Sequence, residues 1–189
     1  MKELTKHEIA RSLLELLEEK NLNKITIEDI SRRAGINRQT FYYHFRDIID
    51  LLEWMWMEDE KLLFSNSYSY ENWQESFITI FEEFKKKKSL TMNVYKNSPS
   101  ELLTTHLYNL VYPIIYSVVN EKAQNYIVKE DDVKFIADFY KFAFVALVKD
   151  WIRNDMEENP EQIVKRLGIL LQGTIEHSLD NLGKRKGKS

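Results

Sequence analysis

Three consecutive side chains, Arg38, Gln39 and Thr40, have the chemistry needed to recognise DNA bases. An arginine can form two hydrogen bonds with a guanine edge, a glutamine can pair similarly with an adenine, and a threonine can contact a phosphate or the thymine methyl group. All three fall at the amino end of a short helix predicted over residues 38–45. That end of the recognition helix enters the major groove in helix-turn-helix proteins, so the pattern predicts a base-reading surface here.

Four further polar side chains follow on or just beyond the same helix: Tyr42, Tyr43, His44 and Arg46. Each tyrosine can pack its ring while its hydroxyl binds a phosphate, and phosphate contacts fix the register of a protein on DNA rather than its sequence preference. For Tyr43, a place in the core is as compatible with the sequence as a phosphate contact. For His44, a structural hydrogen bond is at least as compatible as a DNA contact.

Two short helices must position these side chains, at residues 27–34 and 38–45, joined by a Gly-Ile-Asn sequence. Thr26 and Asn37 are the predicted N-caps, because side-chain oxygens at those positions can accept hydrogen bonds from the free amides of the first turn. The helix lengths and the glycine-containing turn are typical of a helix-turn-helix. The arginines of this segment could instead form a solvated helix face, but the helix-turn-helix spacing argues against that alternative.

A small apolar core would hold the two helices at their angle. The predicted core consists of Ile27, Ile30, Ala34, Ile36, Phe41 and Phe45, packed against Ile9, Leu13 and Leu16. The last three lie on one face of a preceding helix, because residues three and four apart are neighbours on a helix surface. That helix is predicted to begin at Thr5, where Thr-Lys-His-Glu forms a capping box.

The segment ITIEDISRRAGINRQTFYYHFRDIIDLL, residues 25–52, resembles the DNA-binding segment of the TetR/AcrR family of regulators. The residues in register with the family pattern are Thr26, Ile30, Ala34, Gly35, Thr40, Tyr42, His44 and Phe45. The resemblance implies a homodimeric transcriptional regulator with three N-terminal helices on DNA and a fourth helix as a connecting lever. It also implies a C-terminal helical domain for dimerisation and, often, ligand binding.

The residues predicted to contact DNA are Thr26, Arg38, Gln39, Thr40, Tyr42, Tyr43, His44 and Arg46. One departure from the family pattern concerns the start of the fourth helix, where family members commonly place a phosphate-binding lysine. This chain has Ile48 and Ile49 there, so either Arg46 takes over the contact or backbone affinity is weaker. The segment YYHFRDIIDLLEWMW further resembles the branch of regulators of dihydroxyacetone kinase genes, in which activation as well as repression is conceivable.

The composition of the 189-residue chain, with 43% hydrophobic and 30% charged residues, fits a soluble globular protein. Five glycines and three prolines interrupt it, and apolar residues recur at spacings of three and four, which predicts an all-α fold. The net charge of −3 means that a nucleic-acid site must be a local patch. The absence of cysteine, of an apolar run of membrane-spanning length and of a secretory signal pattern leads us to expect a cytoplasmic protein without a membrane partner.

The predicted domains are a DNA-binding domain over residues 1–46 and a helical regulatory and dimerisation domain over residues 47–183. Residues 47–64 of the second domain would form the connecting helix, and residues 184–189 a basic disordered tail. Later helices are predicted at roughly 72–88, 99–120, 130–154 and 160–180, with Pro113 expected to kink or split its helix.

Helices 130–154 and 160–180 carry more apolar surface than one chain is expected to bury. We therefore expect a homodimer whose interface is a four-helix arrangement of these helices, although an intrachain bundle could use the same faces.

A pocket for a small-molecule effector is harder to locate in the sequence. The candidate lining consists of Tyr108, Tyr112, Tyr116, Phe139 and Phe142. The tyrosines recur every four residues, so plain core packing is the competing explanation. No charged pair at a readable spacing indicates the class of ligand.

The expected function is a sequence-specific DNA-binding regulator, a ligand-responsive repressor that reads a palindromic operator as a homodimer. The alternative is a coregulator or activator that retains the helix-turn-helix but acts through a protein partner. An enzyme is disfavoured, because the chain has no glycine-rich phosphate loop or metal-binding helix motif, and its four histidines are scattered. No cofactor and no metal site are expected.

Overall fold

A computed structural model of the protein describes residues 2–63 and 68–186, and it confirms the all-α fold class. The helices are, in chain order, α1 (Lys2–Glu19), α2 (Ile27–Arg33), α3 (Arg38–His44), α4 (Ile48–Leu63), α5 (Trp73–Lys86), α6 (Lys88–Asn97), α7 (Ser100–Ala123), α8 (Glu130–Arg153), α9 (Pro160–Leu171) and α10 (Thr174–Leu182). A single 3-10 turn, Leu22–Lys24, joins α1 to α2. The chain divides into two compact units, residues 1–65 with 87–106, and residues 66–86 with 107–189.

Two short strands were not expected from the sequence. Strand β1 (Tyr126–Ile127) pairs antiparallel with β2 (Lys184–Arg185), and the Lys186 amide donates to the Asn125 carbonyl at 2.9 Å. The Arg185 Nε atom also donates to the Tyr126 hydroxyl at 3.1 Å. The prediction of a disordered tail from residue 184 is therefore wrong for residues 184–186, because backbone pairing and this side-chain contact hold them. Residues 187–189 lie outside the described residues.

The first unit is built on α1, which packs against α2, α4 and α6. Helix α1 begins at Lys2, so Thr5 lies inside the helix and the predicted capping box there is wrong. The apolar face of α1 is buried as predicted, with Ile9 and Leu13 fully inaccessible. Burial of that face stabilises α1, because the tertiary packing of an amphipathic face contributes more to helix stability than local capping does.

Helix α6 belongs to the first unit and was missed in the sequence. The predicted helix over 72–88 stops at Lys86, and Lys87 precedes α6 with its ammonium 2.5 Å from the Asp59 carboxylate of α4. The Asn93 side chain of α6 accepts a hydrogen bond from the Leu22 amide at 3.1 Å. These polar contacts and the buried face of α6 attach residues 87–106 to the N-terminal helices, although they follow α5 in the chain.

Aromatic packing joins α5 and α8 in the second unit. Phe77 of α5 lies 4.3 Å from Phe144 of α8 between ring centroids, and Phe81 meets Trp151 edge-on at 4.9 Å. Helix α7 passes through Pro113 as one continuous helix, so the expected split does not occur. Among the described residues, α7 is the one helix that is long and apolar enough to cross a membrane. Half of its most apolar stretch is buried, and core helices of soluble proteins have the same length and composition.

The predicted helix over 160–180 is interrupted near its middle. Asn159 caps α9 by accepting from the Glu161 amide, and Pro160 occupies the first helical position, both as predicted. The helix ends at Leu171, and Gly173 has a φ of +76°, a left-handed conformation that glycine adopts without steric cost. Helix α10 then starts at Thr174. The apolar periodicity continues across the break, which explains why the sequence pattern did not reveal it.

His106 is a buried histidine at the edge of the first unit. Its ring stacks on Trp56 of α4 at 4.2 Å, and its Nδ1 atom lies 3.2 Å from a carboxylate oxygen of Glu60. Burial lowers the pKa of His106 and outweighs the opposing attraction of Glu60 and Asp59, while Lys87 lowers it further. The neutral imidazole is therefore the form that the folded protein favours.

We expect this histidine to make stability fall in mild acid. The folded pKa is below the unfolded value of about 6.5, so between those two values the unfolded chain binds more protons and the free energy of unfolding decreases as pH falls. The slope from one such group reaches at most about 1.4 kcal/mol per pH unit. Urea unfolding in the range from about pH 5 to about pH 7.5, which brackets the ordinary histidine pKa of about 6.5, measures this slope. His106→Gln should flatten this slope. An equal slope in the wild type and the variant would contradict the role given to His106.

Candidate nucleic-acid interface

The interface begins at the N-terminus of α2, where Thr26 is the cap. Its hydroxyl accepts from the Asp29 amide at 3.1 Å, and Asp29 Oδ2 accepts in return from the Thr26 amide at 3.0 Å, which completes a capping box. Asp29 Oδ2 also accepts from the Lys20 ammonium at 2.7 Å, and its second oxygen accepts from Arg32. The Lys20 and Thr26 hydrogen bonds hold the pKa of Asp29 far below its usual range. The predicted cap at Thr26 is confirmed, and its role is structural before any contact with DNA.

The turn between α2 and α3 depends on Gly35. This residue has a φ of +66°, and the Ile36 amide donates back to the Ser31 carbonyl at 3.0 Å, a bond that closes the end of α2. A left-handed residue at this point is the usual helix C-cap, and glycine occupies it without strain. The turn brings the chain directly to Asn37, which starts the next helix.

Helix α3 is fixed at both ends and along one side. The Asn37 side chain accepts from the Thr40 amide at 2.8 Å, so the predicted cap is confirmed. Phe41 is fully buried and Phe45 nearly so, and their rings lie 5.9 Å apart. The predicted core is otherwise reproduced with Ile30, Ile9, Leu13 and Leu16 buried, while Ile27, Ala34 and Ile36 are half-buried. The inward aromatic rings therefore determine which side of α3 faces solvent.

That solvent face presents Arg38 and Gln39 at the amino end of α3, both exposed. Within the described part of the chain, neither side chain forms an ion pair or a hydrogen bond, so both are available to a ligand. Thr40 is half-buried, and its hydroxyl donates to the Asn37 side chain at 3.0 Å. The first two side chains thus have the freedom required of base-reading groups, whereas Thr40 must exchange an internal bond to reach DNA.

The positive charge of this segment is less free than its sequence suggests. Arg32 pairs with Asp29 at 2.9 Å, and Arg33 pairs with Glu19 at 2.7 Å. The Glu19 hydrogen bond raises the pKa of Arg33. These two arginines tie α2 to its own cap and to α1, so their contribution to a nucleic-acid surface is partly neutralised.

Arg46 is also paired, with a carboxylate in the first turn of α4. Asp47 accepts from the Asp50 amide at 2.9 Å and so caps α4, and Asp50 accepts from the Arg46 amide at 2.8 Å. The Arg46 guanidinium lies 3.4 Å from the Asp50 carboxylate. Ile48 and Ile49 are half-buried. Two carboxylates therefore flank the positions where the family pattern has a lysine, and the Arg46 side chain remains 81% exposed while it is paired with Asp50.

Three aromatic side chains complete the surface. Tyr42 and Tyr43 are 51% and 64% exposed, so the core alternative for Tyr43 is wrong. Tyr43 meets the half-buried His44 edge-on at 5.1 Å, and His44 contacts Phe45 in turn. The tyrosine hydroxyls are thus at the surface, whereas His44 links the exposed and buried rings of α3.

Lys24 is a cation that the sequence analysis did not select. It lies in the turn before α2, two residues from Thr26, and is exposed. Within residues 2–63 and 68–186, no carboxylate forms an ion pair with it. Its position in the sequence could have identified it, because Lys24 directly precedes the capped N-terminus of α2. An unpaired lysine there can reach a phosphate bound near that N-terminus.

Comparison with known families decides the identity of this helix-turn-helix. A family model described as bacterial regulatory proteins, tetR family, matches residues 9–55, and a model described as transcriptional regulator C-terminal region matches residues 71–173. The second match alone covers more than half of the chain. The protein belongs to the TetR family. Members of this family are transcriptional regulators rather than enzymes, so the predicted regulatory function is confirmed at that level.

Individual TetR-family relatives extend over nearly the whole chain. The dhaKLM operon transcriptional activator DhaS of Lactococcus lactis subsp. lactis (strain IL1403) is 25% identical over 169 residues, 87% of this chain and 89% of the relative. The solved structure of a dihydroxyacetone kinase operon activator DhaS matches with a TM-score of 0.70 at 19% identity over 92% of this chain and 97% of that one. A TetR transcriptional regulator from Streptococcus agalactiae 2603V matches with a TM-score of 0.59 at 21% identity, over 97% and 96%. The predicted resemblance to dihydroxyacetone kinase regulators is confirmed.

The five residues predicted to line an effector pocket lie on α7 and α8, in the C-terminal unit of this TetR-family protein. Phe139 and Phe142 are 63% and 53% exposed, and Phe142 meets Tyr108 edge-on at 5.5 Å. Tyr112 and Tyr116 stack on each other at 5.7 Å. The assignment of these five residues to an effector pocket stays a prediction. A separate cavity of about 260 Å³ lies elsewhere in the same unit, and none of the five residues lines it.

Proposed function

We propose that this TetR-family protein binds an operator as a homodimer, with residues 1–46 on DNA and residues 47–183 forming the regulatory and dimerisation part. The observation that carries the proposal is the amino end of α3, where Arg38 and Gln39 are exposed and without an internal partner among the described residues. The proposed DNA-contact set keeps Thr26, Arg38, Gln39, Thr40, Tyr42, Tyr43, His44 and Arg46, and Lys24 is added to it. Because its target is DNA, we place the protein in the cytoplasm.

The dimer is supported by apolar surface left exposed on α8 and α9. Phe135, Phe139 and Phe142 follow one another at spacings of four and three on α8 and are each more than half exposed. Ile169 and Leu170 of α9 are 65% and 70% exposed. Large apolar patches of this kind mark interaction surfaces, and a two-fold dimer is the commonest arrangement that covers one patch with its own copy. Two such subunits would present two α3 helices to half-sites roughly 34–36 Å apart or a multiple of that distance.

The sign of regulation has two candidates. A ligand-responsive repressor is the function expected from the sequence. The second candidate, an activator that works with a protein partner, is favoured by the name of the relative DhaS, which is a transcriptional activator. A reporter gene behind the selected operator separates them, since deleting the regulator raises expression under repression and lowers it under activation.

We expect Arg38→Ala to weaken binding to a selected operator by about 1–3 kcal/mol and to relax the base preference at one position of each half-site. The reason is that a guanidinium bonded to a guanine edge loses two hydrogen bonds that no other side chain replaces. In vitro selection from random duplexes gives the operator, and titration of wild type and variant against it gives the affinities.

Arg32→Ala is the matched control for that experiment. Arg32 has the same side chain and is 73% exposed, but it is already paired with Asp29. Its removal should change affinity less and leave base preference unchanged. Equal base preference for wild type and Arg38→Ala would show that α3 is not the reading helix.

The logarithm of wild-type affinity should also fall linearly with the logarithm of salt concentration, at a slope of about −0.9 per phosphate neutralised.

A further inference from the structure

The cavity of the C-terminal unit is bounded by α5, α7, α8 and the last turn of α9. Aromatic rings form much of its wall: Phe77 lies 4.3 Å from Phe144, and Trp73 meets Phe144 edge-on at 6.1 Å. Its volume of about 260 Å³ is near the lower end of the ~300–1,000 Å³ typical of small-molecule sites. A ligand of one or two aromatic rings fits this size and can pack edge-on or offset against the wall.

A few neutral polar groups interrupt this apolar lining. The Tyr140 hydroxyl donates to the Thr174 hydroxyl at 2.9 Å, and Thr174 donates onward to the Leu171 carbonyl at 3.0 Å. Because its proton is committed to Thr174, the Tyr140 oxygen is left as an acceptor at the cavity wall. The Gln74 and Gln172 amides, which also line the cavity, can donate or accept. The lining therefore suits a ligand with a hydroxyl or amide group.

The charges around the cavity select against an anion. Of the described residues that line it, none is a lysine, arginine or histidine, and Glu71 is its one acid. Lys122, one turn beyond the lining residue Val118 on α7, is paired with Glu176 of α10 at 2.8 Å and lies 3.4 Å from the Tyr70 ring centroid. An anionic ligand would find no free cation in the wall and would lose hydration without compensation.

The last turn of α9 has two faces. Gly168 and Leu171 line the cavity, whereas Ile169 and Leu170 between them are exposed on the surface that we assign to the dimer. Gly168 allows a close approach to α5, because a Cβ there would lie 2.3 Å from Gln74 Nε2. The helix break at Gly173 follows directly. A molecule that moves Gln74 or Leu171 would therefore displace the same short turn that carries the dimer contacts.

We infer that this cavity binds a neutral aromatic molecule of one or two rings bearing a hydroxyl or amide, and that the last turn of α9 transmits its binding to the dimer face. The inference rests on the proposed homodimer and adds to it the chemical class of the effector and its route of action. A ligand that binds both dimer states equally shifts nothing, so the route requires a difference in affinity between them.

The ligand class is tested with two probes of similar size, neutral 2-naphthol and anionic 2-naphthoate, titrated into the full-length protein by calorimetry. We expect 2-naphthol to bind with one site per chain and about tenfold or more tighter than 2-naphthoate, the difference reflecting the uncompensated desolvation of the carboxylate. Undetectable binding of 2-naphthol, or equal binding of both probes, would overturn the assignment.

The location is tested by filling the cavity. Ile115→Phe adds a larger side chain to the lining and should weaken 2-naphthol binding about tenfold or more, while the same substitution at exposed Ile127 should leave binding unchanged. Circular dichroism verifies that both variants are folded. If Ile115→Phe does not fold, the smaller Val118→Leu change, also in the lining, is measured in its place. Unaltered binding to a folded cavity variant would show that the probe binds elsewhere.

The route of action is tested by sedimentation equilibrium with and without saturating 2-naphthol. The dimer dissociation constant should change by about fivefold or more, as for ordinary allosteric couplings. Binding without any change in dimerisation would overturn the transmission through α9. Operator selection with the probe-free protein is a separate measurement, so loss of probe binding with intact operator recognition would reject this inference and leave the proposed function standing.

Discussion

Phe41→Ala is expected to lower the free energy of unfolding by about 3–5 kcal/mol, a large part of the ~5–15 kcal/mol that holds a typical domain folded. The side chain is fully inaccessible to solvent, and its ring contacts Tyr42 and Phe45 at 5.9 Å in each case. Phe45 in turn lies 5.6 Å from Trp54 of α4. Removal of the Phe41 ring leaves a cavity at the junction of α1, α2 and α3 that this small core cannot refill.

The measurement is thermal unfolding followed by circular dichroism, where we expect the midpoint to fall by about 10 °C or more. Operator binding should be lost at temperatures where the wild type still binds, because the reading face of α3 exists only while its opposite side is packed. Phe41→Leu keeps most of the buried volume and should recover a large part of the stability.

Tyr42→Ala is the control on the adjacent residue of the same helix. Tyr42 is 51% exposed, so its truncation should change the unfolding midpoint little, whereas the loss of a phosphate contact should weaken operator binding. The two neighbouring positions thus separate stability from recognition. An unchanged midpoint for Phe41→Ala, or a larger stability loss for Tyr42→Ala than for Phe41→Ala, would contradict the arrangement of α3.

The helix-turn-helix could be predicted from the sequence because its signals are local. Thr26 and Asn37 cap helices through residues three positions away, and Gly35 is required by the backbone of a single turn. Phe41 and Phe45 are four apart, and that spacing alone directs both rings to one side of a short helix. Each of these features depends on fewer than about ten residues, the range over which helix caps and side-chain pairs operate.

The pairing of charges could not be read in the same way. Arg33 reaches Glu19 and Asp29 reaches Lys20 across the α1–α2 junction, contacts that exist only after the helices pack. The sequence showed four arginines close together but not that three of them, Arg32, Arg33 and Arg46, are engaged. The sequence placed Arg38 at the amino end of the reading helix, and the structure adds that the other three arginines of the segment are engaged in ion pairs.

The C-terminal unit was less predictable, because apolar periodicity identifies a buried stripe without identifying what covers it. The continuous pattern over α9 and α10 concealed the break at Gly173, and the tyrosines of α7 that are predicted to line a pocket do not line the cavity of about 260 Å³. The actual cavity draws on α5, α7, α8 and α9, so no single helix carries its signature. The lining of the cavity comes from segments that are nearly 100 residues apart in the sequence. Local sequence patterns carry no information about which such segments pack together.

The proposed dimer leads to the second large effect: Leu170→Glu should raise the dimer dissociation constant about 100-fold or more, a loss of about 2.7 kcal/mol. Leu170 is 70% exposed in the single chain and lies on the turn of α9 that we assign to the interface. A two-fold interface contains each substituted position twice, so the variant buries two carboxylates without partners. Sedimentation equilibrium gives the dissociation constant, and operator binding should weaken in parallel because one half-site holds a monomer less tightly than two hold a dimer.

Leu4→Glu provides a control matched in residue type, substitution and exposure, since Leu4 of α1 is also 70% exposed. It places the same new charge on the N-terminal unit, away from α8 and α9 in the chain, and should leave dimerisation unchanged. Because both positions are exposed in the monomer, neither substitution should lower the unfolding midpoint of the isolated chain appreciably, and a change specific to Leu170→Glu therefore reports the interface. If Leu170→Glu dimerised as tightly as the wild type and Leu4→Glu did not, the interface would lie on the first unit. The assignment of the dimer interface to α8 and α9 would then be wrong.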